Sequence, residues 1–273
     1  MSLPDRTFGI ELEYECGPER NIDVGLGYSG RVALYRRQLD REPPQEADRL
    51  ADLLQGAGLR AAATELTDTR RGAWRVHAEE AGGLEVNSPI LRGEDGLQSA
   101  REAVRVLAAA GCRPADEYGL HVHVGAGDLR LHEVQGVLSA ATYFDKALRA
   151  LLPRDRAQSR FAAPTPPDAL DAALRAKDWP GFFDAVGSSR NRVLNVNALR
   201  RHGTLELRCA PSTTDGDDLE GWVRIALALV ERGRRVRFWP LDRNADPLTT
   251  LLGLPPVRPS RRWVLGRMRA MAA

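Results

Sequence analysis

An alternating segment near the N-terminus places two glutamates on the same face of a predicted strand. Apolar residues occupy every second position from 8 to 14, and Glu11 and Glu13 lie between them. A period of two is typical of a half-buried β-strand, because successive side chains point to opposite faces. One face of this strand must therefore pack on a core, while the other face carries two neighbouring carboxylates.

The same alternation recurs in four later segments. Their polar positions are Glu85 in 83–90, His121 and His123 in 120–124, Asn195 and Asn197 in 192–199, and Glu206 and Arg208 in 204–209. Strands of a doubly wound parallel sheet are apolar on both faces, so this pattern does not fit such a sheet. The sequence predicts an α+β fold, with an antiparallel sheet of about six strands, a concave polar active-site face and helices on the outer side.

Periodicity and turn residues set the remaining boundaries. Helices are predicted at 45–56, 97–110, 131–152, 168–176 and 219–232, and two short strands at 59–66 and 73–77. The segment 15–45 is predicted as a loop or insertion, 153–190 as a covering loop region, and 235–273 as a basic, proline-rich C-terminal segment. The whole chain, 1–273, is expected to form a single catalytic domain.

Composition argues against several classes of partner. The chain has 39 Lys and Arg residues against 37 Asp and Glu, so its net charge is only +2. Neither nucleic acid nor a membrane surface is therefore expected as a partner. The sequence shows no signal peptide and no run of about 18 apolar residues. Its three cysteines lack CxxC spacing, which fits a reduced, cytoplasmic location. The oligomeric state stays open.

The acidic residues of the polar strands are candidate ligands of Mg²⁺. This cation prefers oxygen ligands and usually keeps several waters, so a few carboxylates from different strands suit it. The candidates are Glu11, Glu13, Glu85 and Glu206, with His121 as a further ligand. A solvent-exposed sheet face without function is the better explanation of one isolated glutamate pair, but the recurrence of polar faces on several strands favours a site. A zinc site built on His121 and His123 is the rival for the two histidines.

Two arginines are candidate contacts of a phosphoryl group. Arg208 alternates with Glu206 and could simply form a salt bridge with it on the sheet face. A guanidinium also suits phosphoryl oxygens, because it is planar and permanently charged. Arg160, in the proline-bounded loop, could close over the same phosphate, although a loop arginine is more often only solvated.

Seven motifs in a fixed order resemble the amidoligase family, part of the carboxylate-amine ligase superfamily that includes glutamine synthetase and γ-glutamylcysteine synthetase. They are FGIELEY at 8–14, the Trp74 motif, GGLEVNSPIL at 82–91, GLHVHVG at 119–125, SRF at 159–161, NVN at 195–197 and TLELRCAPST at 204–213. The resemblance spans about residues 7–230. It departs from the family pattern after Trp74, where Glu79 or Glu80 appears without the usual serine.

The resemblance implies a curved antiparallel sheet, like the catalytic domain of glutamine synthetase, that binds ATP and two or three Mg²⁺ ions, with Mn²⁺ as a substitute. It implies metal binding by Glu11, Glu13, Glu85, His121 and Glu206. It places Arg208 and Arg160 at the phosphoryl group. His121, Arg208, Asn195 and Asn197 are assigned to cofactor binding, and either His123 or a carboxylate near the metal cluster is the candidate base.

The expected activity is ATP-dependent ligation of a carboxylate and an amine. A carboxylate oxygen is a poor leaving group, so transfer of the γ-phosphoryl group to it would give an acyl phosphate that an amine can attack. The product would be an amide or isopeptide bond between small-molecule or peptide substrates. Rival functions are a phosphotransferase of the guanido-kinase type, a non-catalytic nucleotide- or amino-acid-binding protein, and a zinc hydrolase.

Overall fold

One sheet of eight strands organises the part of the chain that the computed structural model describes. That part comprises residues 3–15, 45–65, 72–78, 83–236, 238–239, 244, 246–254 and 260–272. The strands are β1 (Thr7–Tyr14), β2 (Ala61–Ala63), β3 (Trp74–Ala78), β4 (Leu84–Asn87), β5 (Leu91–Arg92), β6 (Gly119–Gly125), β7 (Leu194–Asn195) and β8 (Thr204–Pro211). Their order is β2-β3-β4-β1-β6-β8-β7, and β5 also pairs with β1. Among the described strand pairs, only β2–β3 is parallel.

The described residues also form ten α-helices. They are α1 (Gln45–Gly56), α2 (Gly93–Ala109), α3 (Leu131–Arg149), α4 (Arg154–Ala157), α5 (Pro167–Arg175), α6 (Trp179–Val186), α7 (Ala198–His202), α8 (Gly216–Gly233), α9 (Pro247–Gly253) and α10 (Arg261–Ala272). A short 3₁₀ helix spans Arg160–Ala162. The described helices include none with the length and apolar character needed to cross a membrane.

The two faces of β1 separate the core from the polar side of the sheet. Phe8, Ile10, Leu12 and Tyr14 are each at most 2% exposed and belong to the hydrophobic core. The long helix α8 packs against α2, α3 and β6, and its apolar residues join the same core. The alternation in the sequence thus leaves the glutamates of β1 on the face opposite the core residues.

Strand register brings polar residues from distant parts of the chain together. Glu11 pairs with His121 between β1 and β6, and His123 pairs with Glu206 between β6 and β8. Asn195 of β7 pairs with Glu206 from the other side. The β6–β8 register shifts between Leu120 and Val122. Such a bulge re-aims side chains, and here it lies at His121 and Arg208.

Several predicted boundaries differ from the structure. The predicted strand 59–66 is reduced to β2, and the predicted strand 83–90 is reduced to β4, with β5 following it beyond Ser88-Pro89. The predicted strand 192–199 contains only the two residues of β7, because the chain enters helix α7 at Ala198. Helix α7 ends at Gly203, whose left-handed backbone conformation suits glycine. Predicted helices at 45–56, 131–152 and 219–232 correspond to α1, α3 and α8.

The two predicted irregular segments also contain regular structure. Residues 153–190 hold α4, α5, α6 and the 3₁₀ helix, and the C-terminal segment 235–273 holds α9 and α10. The sheet has eight described strands rather than about six, partly because the two-residue strand β5 is too short to show a period. Residues 16–44 of the predicted loop or insertion, and Glu79 and Glu80, lie outside the described residues.

Candidate active site on the polar face of the sheet

Three side chains from three adjacent strands converge on the polar face. Glu11, His121 and Glu206 each offer one donor atom, and these atoms lie within 4.8 Å of one another. His121 Nδ1 is 3.0 Å from Glu11 Oε2 and 3.6 Å from Glu206 Oε1. Two carboxylates and one imidazole are a donor set that fits a divalent cation. We call these three residues the cation triad.

His123, the next residue of β6 on the same face as His121, lies close to the same two carboxylates, Glu11 and Glu206. Its Nε2 lies 3.1 Å from Glu11 Oε1 and 3.7 Å from Glu206 Oε1, and its Nδ1 lies 2.9 Å from Thr204 Oγ1. Burial alone would lower the pKa of His123, but the negative charges of Glu11 and Glu206 raise it to about 9. Burial opposes ionisation of Glu11, yet His123 and His121 hold its pKa well below the usual value.

The Glu206 carboxylate accepts hydrogen bonds from two side chains, one on β7 and one on β8. Asn195 Nδ2 donates to Glu206 Oε2 at 2.6 Å, and Arg208 Nη1 donates to Glu206 Oε1. Arg208 is buried, and its Nε has no hydrogen-bond partner within the described residues. A buried donor left unpaired is costly, so the Arg208 guanidinium is suited to an anionic ligand.

The other two predicted metal ligands lie beside the triad. Glu13 and Glu85 face each other in the β1–β4 register. Glu13 Oε1 lies 3.7 Å from His121 Nε2, and Glu13 Oε2 accepts a hydrogen bond from the Gly119 N–H at 2.6 Å. Glu85 Oε1 accepts from Asn87 Nδ2 at 2.8 Å. The structure thus places both carboxylates on the same face, outside the closely spaced triad.

Two cavities meet at Glu11, His123 and His202. One has a volume of about 140 Å³ and is lined also by Ser188, Arg190, Asn195, Asn197, Ala198, Arg201, Glu206 and Arg208. The other has a volume of about 230 Å³, and its lining includes Arg75, Asn87, Ser88, Ile90 and Thr204. We call them the arginine pocket and the Asn87 pocket. The three arginines of the first pocket make it suitable for an anion.

The structure does not bring every predicted residue to these cavities. Arg160 is exposed, its guanidinium lies 5.0 Å from the centre of the Phe161 ring, and it lines neither cavity. Asn197 lines the arginine pocket, but its side chain also donates to the Gly187 carbonyl at 2.8 Å.

Sequence reasoning missed several residues that the fold brings to the site. Arg190, Arg201 and His202 line the cavities, and the run Arg200-Arg201-His202 was the one signal that could have revealed two of them. This run lies in α7, which the period-two interpretation of 192–199 did not anticipate. Arg190 has no such pattern around it.

Comparison with known families gives one match over most of the chain. A family model described as "Putative amidoligase enzyme" matches residues 4–230. No curated protein sequence matches the chain.

Solved structures with a similar arrangement include two that span nearly the whole chain. One is described as a "novel glutamine synthase homolog", with 19% identity and a TM-score of 0.46 over 98% of this chain and 66% of that chain. The other is described as a "GmaS/ADP complex", with 14% identity and a TM-score of 0.47 over 97% of this chain and 64% of that chain. The chain therefore spans slightly less than two thirds of the length of each.

Proposed function

Because the chain belongs to the amidoligase family, we propose that it is an ATP-dependent ligase that joins a carboxylate to an amine. The observation that carries this proposal is the convergence of Glu11, His121 and Glu206 next to Arg208. Phosphoryl transfer depends mainly on positioning and on neutralising the charge of the phosphoryl oxygens. A cation triad beside an arginine-lined pocket suits both tasks.

We propose Mg²⁺ as the resident cation, held by the triad, with Mn²⁺ as a substitute. The donor chemistry fits, because two of the three donors are carboxylates and the low pKa of Glu11 keeps it ionised at neutral pH. When bound, the cation would neutralise charge on the transferring phosphoryl group. Glu13 and Glu85 lie on the same face and are candidates for further ions.

The arginine pocket is the proposed site of the phosphoryl group. Arg208 would contact its oxygens through the donors that Glu206 leaves unused, while Arg190 and Arg201 supply further positive charge at the same cavity. Asn195 keeps the Glu206 carboxylate in place through its hydrogen bond. Arg160 remains a candidate only if the segment that carries it moves toward the cavity.

The proposed reaction has two chemical steps. The substrate carboxylate attacks the γ-phosphorus of ATP and ADP leaves, giving an acyl phosphate. The amine then attacks the acyl carbon, the C–N bond forms, phosphate departs with the electrons of the broken C–O bond, and the surplus amine proton passes to the departing phosphate. His123 carries its proton at neutral pH in the ion-free chain, so it acts there as a donor to Glu11 rather than as a base.

The test is a matrix of carboxylates and amines supplied with Mg²⁺ and ATP. We expect ADP and phosphate to form together only when both substrates are present, and mass spectrometry should detect the condensed product. Glu206→Gln should lower kcat at least about a hundredfold, because it removes a triad carboxylate. Glu65→Gln, at an exposed position, is the matched control and should behave like the wild type.

Other results would point to the rival functions. A phosphorylated product that forms without an amine would indicate a phosphotransferase. Nucleotide binding without turnover in any mixture would indicate a binding protein. Stoichiometric zinc in the purified protein would replace the Mg²⁺ assignment. We further propose that residues 1–273 form one cytoplasmic catalytic unit acting on small-molecule or peptide substrates.

A further inference from the structure

A buried arginine that the proposed chemistry does not use lies beside the site. Arg156 is only 4% exposed, although it belongs to the short helix α4 at the start of the 153–190 segment. Burial of a guanidinium is unfavourable unless hydrogen bonds and charges compensate for the lost water. The groups that compensate for its burial therefore indicate the role of Arg156.

The hydrogen bonds of Arg156 go to the backbone of the β8 bulge. Nη2 donates to the Arg208 carbonyl at 2.9 Å, and Nε donates to the Cys209 carbonyl at 3.3 Å. A bulge places an extra residue outside the regular strand pairing, so its carbonyls need other donors. The planar guanidinium offers two donors in fixed directions, which suits two successive carbonyls.

Arg156 also interacts electrostatically with Glu13 of β1. Burial lowers the pKa of Arg156, and the Glu13 carboxylate opposes that effect. Gly119, whose N–H donates to Glu13, makes room for the guanidinium, because a Cβ at this position would overlap Arg156 Nη2. Arg156, Gly119 and Glu13 thus lie next to one another beside His121.

We propose that Arg156 is a positioning residue that fixes the β8 bulge, and so sets where Arg208, Glu206 and His121 meet their ligands. The cation and the catalytic role of these residues rest on the proposed function, but their hydrogen bonds and packing do not. Outer partners of metal-binding side chains typically change metal affinity about 10- to 100-fold when they are removed.

Mn²⁺ titration of the full-length protein, followed by electron paramagnetic resonance, tests this role without requiring turnover. We expect Arg156→Met to weaken Mn²⁺ binding about tenfold and Arg156→Lys to recover part of the loss. Gly119→Ala should also weaken binding, because its Cβ would displace the guanidinium, whose charge remains, and would press on the His121 imidazole. Arg154→Met, at an exposed position of the same helix, should bind Mn²⁺ like the wild type.

The sign of the change separates positioning from simple charge. If Arg156 only repelled the cation, Arg156→Met would bind Mn²⁺ more tightly, and tighter or unchanged binding would overturn the proposal. If Arg156→Met does not fold in a thermal melt, Arg156→Lys and Gly119→Ala decide, and wild-type affinity in both would overturn it. A wild type that binds Mn²⁺ but makes no amide would count against the proposed function alone.

Discussion

Glu11 and His123 form an ion pair whose charges are largely shielded from solvent. His123 Nε2 lies 3.1 Å from Glu11 Oε1, and Glu206 approaches the same nitrogen to 3.7 Å. Arg208 is the opposing positive charge, and it acts to lower the pKa of His123. The net result is a histidine that stays protonated well above neutral pH and a glutamate that stays ionised well into the acid range.

This pair predicts how the stability of the metal-free protein depends on pH. The pKa of His123 is raised from 6.5 to about 9, so its stabilisation is complete below about pH 6.5 and is lost as pH rises through 9. The pKa of Glu11 is lowered, so its contribution is present above its usual pKa and lost on acidification. We expect the free energy of unfolding in EDTA to fall by about 3 kcal/mol between pH 6.5 and 10.

Urea denaturation across this pH range measures the effect. His123→Gln should remove most of the alkaline decline, because the titrating imidazole is absent. His132→Gln, at an exposed position on α3, should leave the decline unchanged. An equal decline in wild type and His123→Gln would show that other groups cause it.

At the level of residues, the sequence predicts which side chains share a face but not which of them touch. The alternation in 8–14 and 120–124 correctly separates Glu11 and His121 from the core residues between them. Whether Glu11 or Glu13 approaches Glu206 depends on the register between strands about a hundred residues apart, and on the bulge in β8. Neither the strand register nor the bulge leaves a pattern in the local sequence.

At the level of elements, the helices behind the sheet pack closely because glycine occurs at their contacts. Gly136 of α3 lies against the C-terminal end of α8, and a Cβ at this position would overlap the carbonyl oxygens of Gly233 and Val236. Gly266 of α10 has no atom within 4 Å of such a Cβ. The same substitution should therefore have opposite effects in the two helices.

We predict that Gly136→Ala lowers the free energy of unfolding by about 1–3 kcal/mol, because backbone atoms cannot yield as a flexible side chain can. Gly266→Ala should raise the free energy of unfolding by up to about 1 kcal/mol, since alanine favours a helix interior. Urea denaturation of both variants checks the pair. A destabilised Gly266→Ala, or a neutral Gly136→Ala, would contradict this account of the helix contacts.

Element boundaries were predictable where a periodic pattern was long. Helices α1, α3 and α8 repeat their apolar spacing over several turns, and β1 alternates over eight residues. The interpretation of 192–199 as a strand was wrong. The alternation of apolar and polar residues is short there, and it fits a two-residue strand followed by a helical turn equally well. Tertiary packing around Val196 and Ala198, both buried, overrides such a short pattern.

At the level of the whole molecule, the family match ends inside α8 at residue 230, whereas α10 packs on that helix from beyond the match. Trp263 Nε1 donates to Asp218 Oδ1 at 2.5 Å, and its ring lies edge-on to the Trp222 ring with centroids 5.9 Å apart. Arg267 donates to Asp218 Oδ2 at 2.8 Å and to the Leu151 carbonyl at 2.6 Å. These partners lie far apart in sequence, which explains why 235–273 appeared only as a basic, proline-rich segment.

We therefore predict that α10 stabilises the body of the protein without forming part of its cation site. A chain that ends after Leu254 would expose Trp222 and leave Asp218 without two of its partners, so its free energy of unfolding should fall by about 3 kcal/mol or more. Below its melting temperature, this shortened chain should bind Mn²⁺ with the affinity of the full-length protein. Arg262→Ala, an exposed change within α10, serves as the control in the same thermal melts. An unchanged melting temperature would show that α10 does not stabilise the fold, and a selective loss of Mn²⁺ affinity would instead connect it to the site.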